Sequence, residues 1–240
     1  MLKTIAFVLV AATATAGVAT AGPRKPRPAA AKAPTATTIL ASVQKAHAGI
    51  AHLRTTFHQE VVNVTFGVTT ASDGGLLLAR PAKMRWDYLA DQRKKPSLRT
   101  AKSFISDGTT LYVVDNDNQQ VIKQDLTHNL LPTAIAFLYG KGDLTAEFRA
   151  VLDRSGTYGA ATDQVLVLTP RARSAQYKRL YLVVDPVTSR VSQSIVIDAA
   201  GNTNHFTFDA LDTTSPIADT LFEFSPAAVP TYRVIDASVP

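Results

Sequence analysis

The sequence contains no cysteine, and this absence excludes disulfide bonds, thiol nucleophiles and metal sites built on thiolates. There is also no lipobox cysteine to acylate, so we expect a mature protein without a lipid anchor of its own. Two catalytic motifs are missing as well: the Gly-x-Ser-x-Gly elbow of serine hydrolases and the P-loop of nucleotide-binding enzymes. We therefore expect no catalytic residue, and the sequence favours a binding protein over an enzyme.

Metal-binding patterns are equally scarce. None of the histidines has the spacing to a second histidine and a carboxylate that a zinc-binding helix requires. Residues 115–119 have the oxygen-rich character of a calcium loop, but Gln120 replaces the glycine of the sixth position and Leu126 the glutamate of the twelfth. We expect a hairpin loop there, and neither metal nor cofactor in the protein. The five scattered histidines are His47, His52, His58, His128 and His205.

The body of the chain has no clear excess of positive or negative side chains, although the formal net charge of the whole sequence is +6. Five of the lysines and arginines lie in the first 32 residues, where Asp and Glu do not occur. The remainder is therefore close to neutral. A basic surface for nucleic acid is not expected from this distribution.

The N-terminus has the pattern of a cleavable signal peptide. Lys3 precedes an apolar stretch from Ile5 to about Val18, and the small residues of Ala19–Ala21 suit signal peptidase. The apolar stretch is too short to be interpreted as a membrane span. We expect residues 1–21 to be removed on export to the periplasm, residues 22–36 to form a basic Pro/Ala-rich linker, and residues 37–240 to form one domain.

A helical pattern opens this domain. Apolar residues recur three or four apart, with Thr37 or Thr38 available as N-cap, which predicts one amphipathic helix. Beyond Arg54 the period changes to two, which predicts a strand. The apolar positions of the predicted helix are Ile39, Leu40, Val43, Ala46, Ile50 and Leu53.

Short β-type segments separated by turn residues fill the rest of the sequence, interrupted by a predicted second helix over Asn129–Tyr139. About eleven strands with two or three helices predict one curved antiparallel sheet or an incomplete barrel. Several strands, such as Leu76–Ala79 and Leu180–Val184, are apolar on both faces, which suggests an apolar cavity. Beyond the strand after Arg54, the predicted strands are Leu76–Leu78 after an Asp73–Gly75 turn, Lys83–Leu89, Ser103–Ile105, Leu111–Val114, Gln119–Lys123, Thr145–Leu152, Gln164–Leu168, Tyr177–Val184, Arg190–Ile197, Asn204–Leu211 and Phe222–Phe224.

One segment, Gly75–Tyr88, combines apolar strands with a single cation. Alternation places Leu76 and Leu78 with Arg80 on one face, and Met84, Trp86 and Tyr88 on one face of the next strand. If those faces coincide, Arg80 is the only cation at the end of an apolar wall. In the alternative interpretation, Arg80 reaches solvent at a strand end and Trp86 fills an ordinary core.

The order and spacing of five segments resemble the LolA family, the periplasmic carriers of outer-membrane lipoproteins in Gram-negative bacteria. The resemblance covers nearly all of the predicted domain. The opening helix is followed by the first of these segments. The segments are Phe57–Gln59, Gly75–Tyr88, Ser106–Tyr112, Leu166–Pro170 and Phe222–Pro226.

The resemblance implies an unclosed barrel of about eleven strands with helices as a lid over its mouth. It implies a monomeric, non-enzymatic carrier of triacylated lipoproteins, which are received from an inner-membrane ABC transporter and passed to an outer-membrane acceptor. The arginine of the Arg-Pro pair would hold the lid closed, and the apolar residue four positions later would support uptake; these are Arg80 and Met84. The full set of expected lid and lipid-binding residues is Arg80, Met84, Trp86, Leu76, Leu78, Tyr88 and Phe57.

Two other functions remain open at this point. A periplasmic lipid- or lipoprotein-sensing regulator of the envelope stress response would share the fold. An enzyme of envelope lipid metabolism belongs to a different class, and the missing nucleophile motif speaks against it.

Overall fold

A computed structural model describes residues 33–90, 99–126, 143–174 and 177–238. The first helix, α1, spans Ala36–Ala48 and begins at Thr35, whose extended backbone and side-chain oxygen cap the amide of Thr38. The predicted caps, Thr37 and Thr38, were therefore wrong. The helix also ends earlier than the apolar pattern, because Gly49 closes it.

The first strand consequently begins before the predicted one. Ile50 lies in the connection between helix and strand, and Leu53 is buried in the strand itself. Both side chains still meet the same core as the helix. The apolar spacing thus continued across a change of backbone conformation that spacing alone does not reveal.

Twelve strands form one sheet in the order β12-β6-β5-β4-β3-β2-β1-β11-β10-β9-β8-β7. Neighbours pair antiparallel, except for the parallel pair of β12 and β6. Because β7 and β12 end the order and do not pair, the sheet is an unclosed barrel, as predicted. In chain order β1 to β12 are His52–Asn63, Val68–Ala79, Lys83–Leu89, Thr100–Ser106, Thr110–Asp115, Gln120–Asp125, Phe148–Asp153, Gln164–Pro170, Arg179–Val184, Val191–Ile197, Thr203–Phe208 and Arg233–Asp236.

The β1–β2 hairpin is longer than predicted. The sequence suggested a turn at Asp73–Gly75, yet β2 runs through these residues and the chain reverses at residues 64–67. Gly74 lies opposite Phe57 in the register. A Cβ at Gly74 would lie 2.4 Å from Phe57 Cζ and 2.3 Å from the Asp87 backbone oxygen. The glycine is there because a side chain would not fit, and not because the chain turns.

Two further predicted strands were wrong in part. Asp143 caps the amides of Thr145 and Ala146 through its side chain, so the chain first forms a short helix, α2 (Leu144–Glu147), before β7. The predicted strand at Phe222–Phe224 does not form: Phe222 ends a 3₁₀ helix, Asp219–Phe222, and residues 223–225 have no regular structure.

The twelfth strand, β12, was not predicted. Its residues are mostly exposed and show no alternation of apolar and polar side chains, so hydrophobic periodicity could not find it. The predicted helix at Asn129–Tyr139 lies outside the described residues.

The sheet is apolar on both faces. The inner face carries the main core, which includes Ile39, Leu40 and Val43 of α1. The outer face is covered in part by the C-terminal segment, where Phe222 packs with Ile217 and Ala79, and Phe224, Val229 and Tyr232 pack on Ile105, Val114 and Val121. The described residues from Pro34 onward form one compact unit. In the described part of the chain, no helix has the length and apolarity to cross a membrane.

Candidate functional site

The inner face contains a cavity of about 220 Å³. Five strands contribute to it: β1, β3, β4, β5 and β11. Its wall is mainly apolar and aromatic, and its two amide side chains are hydrogen-bonded to each other, with Gln59 Nε2 donating to Asn204 Oδ1 at 2.8 Å. The lining residues are Gln59, Met84, Trp86, Tyr88, Phe104, Leu111, Asn204 and Phe206.

An aromatic cluster forms one side of this cavity. The centroid of the Trp86 ring lies 5.3 Å from that of Phe57 and 5.2 Å from that of Phe206. Tyr88 packs edge to face on Phe57 at 5.1 Å and on Phe104 at 5.9 Å. These tilted and edge-to-face arrangements are the favourable ones for aromatic rings. The cluster therefore forms a well-packed apolar wall.

The strand register shows that the apolar residues of β2 and β3 lie on the same face of the sheet. Leu76 lies opposite Trp86, and Leu78 lies opposite Met84. Side chains that are directly opposite point to the same face of a sheet. The two apolar rows of β2 and β3 thus form one surface.

The seven predicted site residues divide into three groups. Met84, Trp86 and Tyr88 line the cavity. The other apolar residues, Phe57, Leu76 and Leu78, are buried in the core that surrounds it. Arg80 follows the last residue of β2 and lies beside the C-terminal end of α1.

Arg80 is held by backbone carbonyls at the end of α1. Its Nε donates to the oxygen of Ile50 at 2.9 Å, and its Nη2 donates to the oxygen of His47 at 3.3 Å. Its own amide donates to the oxygen of Ala51 at 3.0 Å. A cation at this position complements the negative end of the helix dipole. The side chain therefore ties the end of the helix to the end of β2.

The electrostatics of the site are those of an apolar interior. Burial raises the pKa of the Tyr88 hydroxyl to about 12, so it stays neutral at all ordinary pH values. Burial, with a smaller effect of Arg190, lowers the pKa of His47 to about 4. His47 is 1% exposed in α1. None of the cavity-lining residues carries a charge at neutral pH.

A polar pocket of about 410 Å³ adjoins the cavity and shares Tyr88 and Phe104 with it. Lys102 Nζ lies 3.1 Å from Asp115 Oδ2 at its wall, and Asp117 pairs with Arg99. No group of three or more potential ligand side chains in the described ranges could hold a metal ion. The other residues of this pocket are Ser72, Leu89, Ala101 and Asn118.

Sequence reasoning missed five lining residues: Gln59, Phe104, Leu111, Asn204 and Phe206. The last two come from β11, which lies next to β1 although almost 150 residues separate Gln59 from Asn204. One signal was available, because Phe206 and Phe208 alternate with polar residues and so mark an apolar face. Nothing in that pattern indicated which strand would be its neighbour.

A sequence model of the family described as outer membrane lipoprotein carrier protein LolA matches residues 48–225. The chain belongs to the LolA family. An outer-membrane lipoprotein carrier protein of Cupriavidus taiwanensis is 30% identical over 158 residues, which are 66% of this chain and 68% of that protein. Its namesake in Cupriavidus necator gives the same values.

Among solved structures, a LolA superfamily protein from Nitrosomonas europaea is 13% identical, with a TM-score of 0.42 over 80% of this chain and 99% of that one.

The LolA family match begins at the last residue of α1. It therefore includes the whole cavity wall and Arg80, whereas most of α1 precedes it.

Proposed function

We propose that this protein carries the acyl chains of outer-membrane lipoproteins across the periplasm, from an inner-membrane ABC transporter to an outer-membrane acceptor. The apolar cavity on the inner face of the sheet is the observation that carries the proposal. Membership of a lipoprotein carrier family supports it. The carrier is proposed to act as a monomer and without catalysis.

The need for such a cavity follows from the cost of exposing acyl chains to water. Burying one methylene group contributes about 0.8 kcal/mol, so exposing one acyl chain of roughly fifteen methylenes to water costs on the order of 12 kcal/mol. Three chains on one lipoprotein could not cross an aqueous compartment unshielded. An uncharged aromatic and aliphatic wall provides the shielding without any specific polar contact.

The cavity is too small for the full cargo in this conformation. Its volume of about 220 Å³ is below the roughly 300 to 1,000 Å³ of pockets that hold drug-sized ligands. The buried side chains of α1 belong to the same apolar cluster as Met84, Trp86 and Phe206. Movement of α1 would therefore extend the cavity over surface that is already apolar, and we propose α1 as part of the lid.

Arg80 is proposed as the latch of this lid. One of its side-chain hydrogen bonds reaches His47 in the last turn of α1, and the other reaches Ile50 in the connection that follows. Both are proposed to form in the closed state only. A contact present only in the closed state opposes cargo binding and favours cargo release. Loss of the latch would consequently raise the affinity for cargo and slow its transfer.

The N-terminal segments are proposed to serve the same task. Residues 1–21 would direct export and be removed. Residues 22–36 would form a linker, and residues 37–240 would form the carrier domain. A periplasmic location follows from this proposal and agrees with the function of the family.

A two-step transfer assay tests the function. Inner-membrane vesicles loaded with a lipoprotein are incubated with the protein, and the soluble complex is then mixed with outer-membrane vesicles. We expect the wild-type protein to release lipoprotein and pass it on, and Arg80→Leu to release it but retain about tenfold more at the second step.

Arg85→Leu is the matched control, because Arg85 lies on the neighbouring strand and bonds to Asp87 and to the Leu221 oxygen, away from α1. It should transfer as the wild type does. Normal transfer by Arg80→Leu would contradict the latch. Failure of the wild-type protein to release any lipoprotein would contradict the carrier function.

A further inference from the structure

The tip of the β1–β2 hairpin has three exposed large apolar side chains close together in sequence. Phe66 is 76% exposed, Val64 52% and Val68 49%. All three lie within five consecutive residues. Isolated apolar residues on a surface are ordinary, but an exposed aromatic ring between two exposed valines on one projecting turn calls for a partner.

The tip itself has no charged side chain, although Asp198 of the adjoining turn accepts from Asn202, which contacts the tip. The hairpin carries no Asp, Glu, Lys or Arg from Val61 to Ser72. A surface that docks on another protein typically has a charged or polar rim around its apolar centre and buries roughly 1,000 Å² or more. A narrow, uncharged, convex turn with three apolar side chains does not provide such a surface.

Several backbone groups at the tip are satisfied from within the protein. The pairs Val61 with Thr70, Val62 with Thr69 and Asn63 with Val68 continue the ladder up to the turn. In the turn itself, the Val64 amide donates to Asn202 Oδ1 at 3.0 Å and the Phe66 amide to Asn63 Oδ1 at 3.1 Å. Satisfied backbone groups are what a lipid environment demands, because lipid offers them no hydrogen bonds.

The position of the tip relates it to the candidate site. Along β2 the chain passes from Val68 at the tip to Ser72 in the wall of the polar pocket, and then to Leu76 and Leu78 in the core around the cavity. On β1, Asn63 is four residues beyond Gln59 of the cavity wall, or about 13 Å along the strand. The tip thus projects from the end of the sheet where the polar pocket lies.

We propose that residues 64–68 form a membrane-contact site that inserts Phe66, Val64 and Val68 into the interface of a lipid bilayer. The partner is the lipid surface itself, with zwitterionic headgroups sufficient because the tip has no charge to pair. The contact is weak and reversible, since three side chains bury less apolar area than the single acyl chain that gives only marginal membrane binding. It goes beyond the proposed carrier function, and it would bring the end of the sheet where the polar pocket lies to the bilayer that holds the acyl chains.

Two variants of one residue each provide the first test, made on the protein after its leader has been removed on export. Phe66→Ser should weaken binding to vesicles of phosphatidylcholine alone by about tenfold or more. Val187→Ser is the matched control. Val187 is 88% exposed in the turn between β9 and β10, whereas the turn at the other end of β10 supplies Asn202 to the tip.

The absence of cysteine permits a second, direct readout. A single cysteine at Phe66→Cys or Val187→Cys can be labelled with an environment-sensitive fluorophore. We expect vesicles to increase and blue-shift the emission at residue 66 only, and added salt to leave the effect unchanged. Equal responses at both residues, no response at residue 66, or vesicle binding that salt abolishes would overturn the proposal.

The test also separates this site from the cavity. Uptake of a fluorescent fatty acid from solution should be equal in Phe66→Ser and in the wild-type protein, because Phe66 is not part of the cavity wall. If the wild-type protein takes up no fatty acid, the carrier function is contradicted and the membrane-contact site is not affected. If Phe66→Ser impairs lipoprotein transfer while vesicle binding by the wild type is absent, the tip docks on a protein and the lipid assignment is wrong.

Discussion

At the scale of single residues, Gly74 shows how one missing side chain shapes the cavity wall. Phe57 packs on Trp86, Tyr88 and Phe206, and its ring occupies the space that a Cβ on Gly74 would need. Gly75, the next residue of β2, has no atom within 4 Å of an added Cβ. The two glycines are therefore a natural matched pair.

We predict that Gly74→Ala destabilises the protein by about 1–3 kcal/mol, the usual cost of overpacking. Gly75→Ala should be neutral or slightly stabilising, because it only reduces the freedom of the unfolded chain. Denaturant unfolding of both variants measures the difference. Equal free energies of unfolding would show that the aromatic cluster adjusts freely and is not a packed wall.

At the scale of elements, α1 depends on groups at its C-terminal end. Its apolar face is short, so the contacts of Arg80 and the buried ring of His47 matter for its position. The pKa of His47 is lowered to about 4 from the usual 6.5. The folded protein therefore binds a proton at His47 less readily than the unfolded chain does.

This shift predicts a pH dependence of folding stability. As pH falls from about 6.5 to about 4, the unfolded state gains protons first, and stability on the order of 3 kcal/mol is lost. His47→Leu should remove that part of the dependence. Unfolding free energies measured across the range should give a difference between the two proteins that declines below pH 6.5 and levels off near pH 4. A constant difference would contradict the burial of an uncharged His47.

The elements also show how far sequence reasoning extends in this protein. The β-type segments between turn residues found β3, β5, β8 and β10 to within two residues at each end, but they located only three of the seven residues of β4. They could not find β12, whose pairing with β6 is decided at the edge of the sheet. The end of α1 was misplaced because Ile50 and Leu53 stay apolar after Gly49 has ended the helix.

The residues of the candidate site also fall into those that could be predicted from the sequence and those that could not. Met84, Trp86 and Tyr88 could be named from the sequence, since they alternate along one strand and strand periodicity gives them one face. Phe206 and Asn204 could not, because their place depends on the pairing of β11 with β1. The hydrogen bonds of Arg80 to α1 were suggested by a family resemblance, and no residue pattern within the chain indicates them.

At the scale of the whole molecule, the inner face of the unclosed sheet is the surface that we propose to shelter acyl chains. The outer face is occupied by the C-terminal segment, whereas part of the inner face remains open as an uncharged cavity. Among the described residues, the protein thus has an apolar surface that no other segment covers. A carrier needs such a surface, together with a lid that can move.

The most direct measurement uses Trp86, the one tryptophan of the chain, which lies in the cavity wall. A lipopeptide with brominated acyl chains is added to the protein, and tryptophan emission is compared with that in the presence of the same lipopeptide without bromine. Bromine quenches only at short range, so we predict strong quenching by the brominated lipopeptide and none by its counterpart. Binding of both lipopeptides without any quenching would place the acyl chains elsewhere and contradict the cavity as the carrier site.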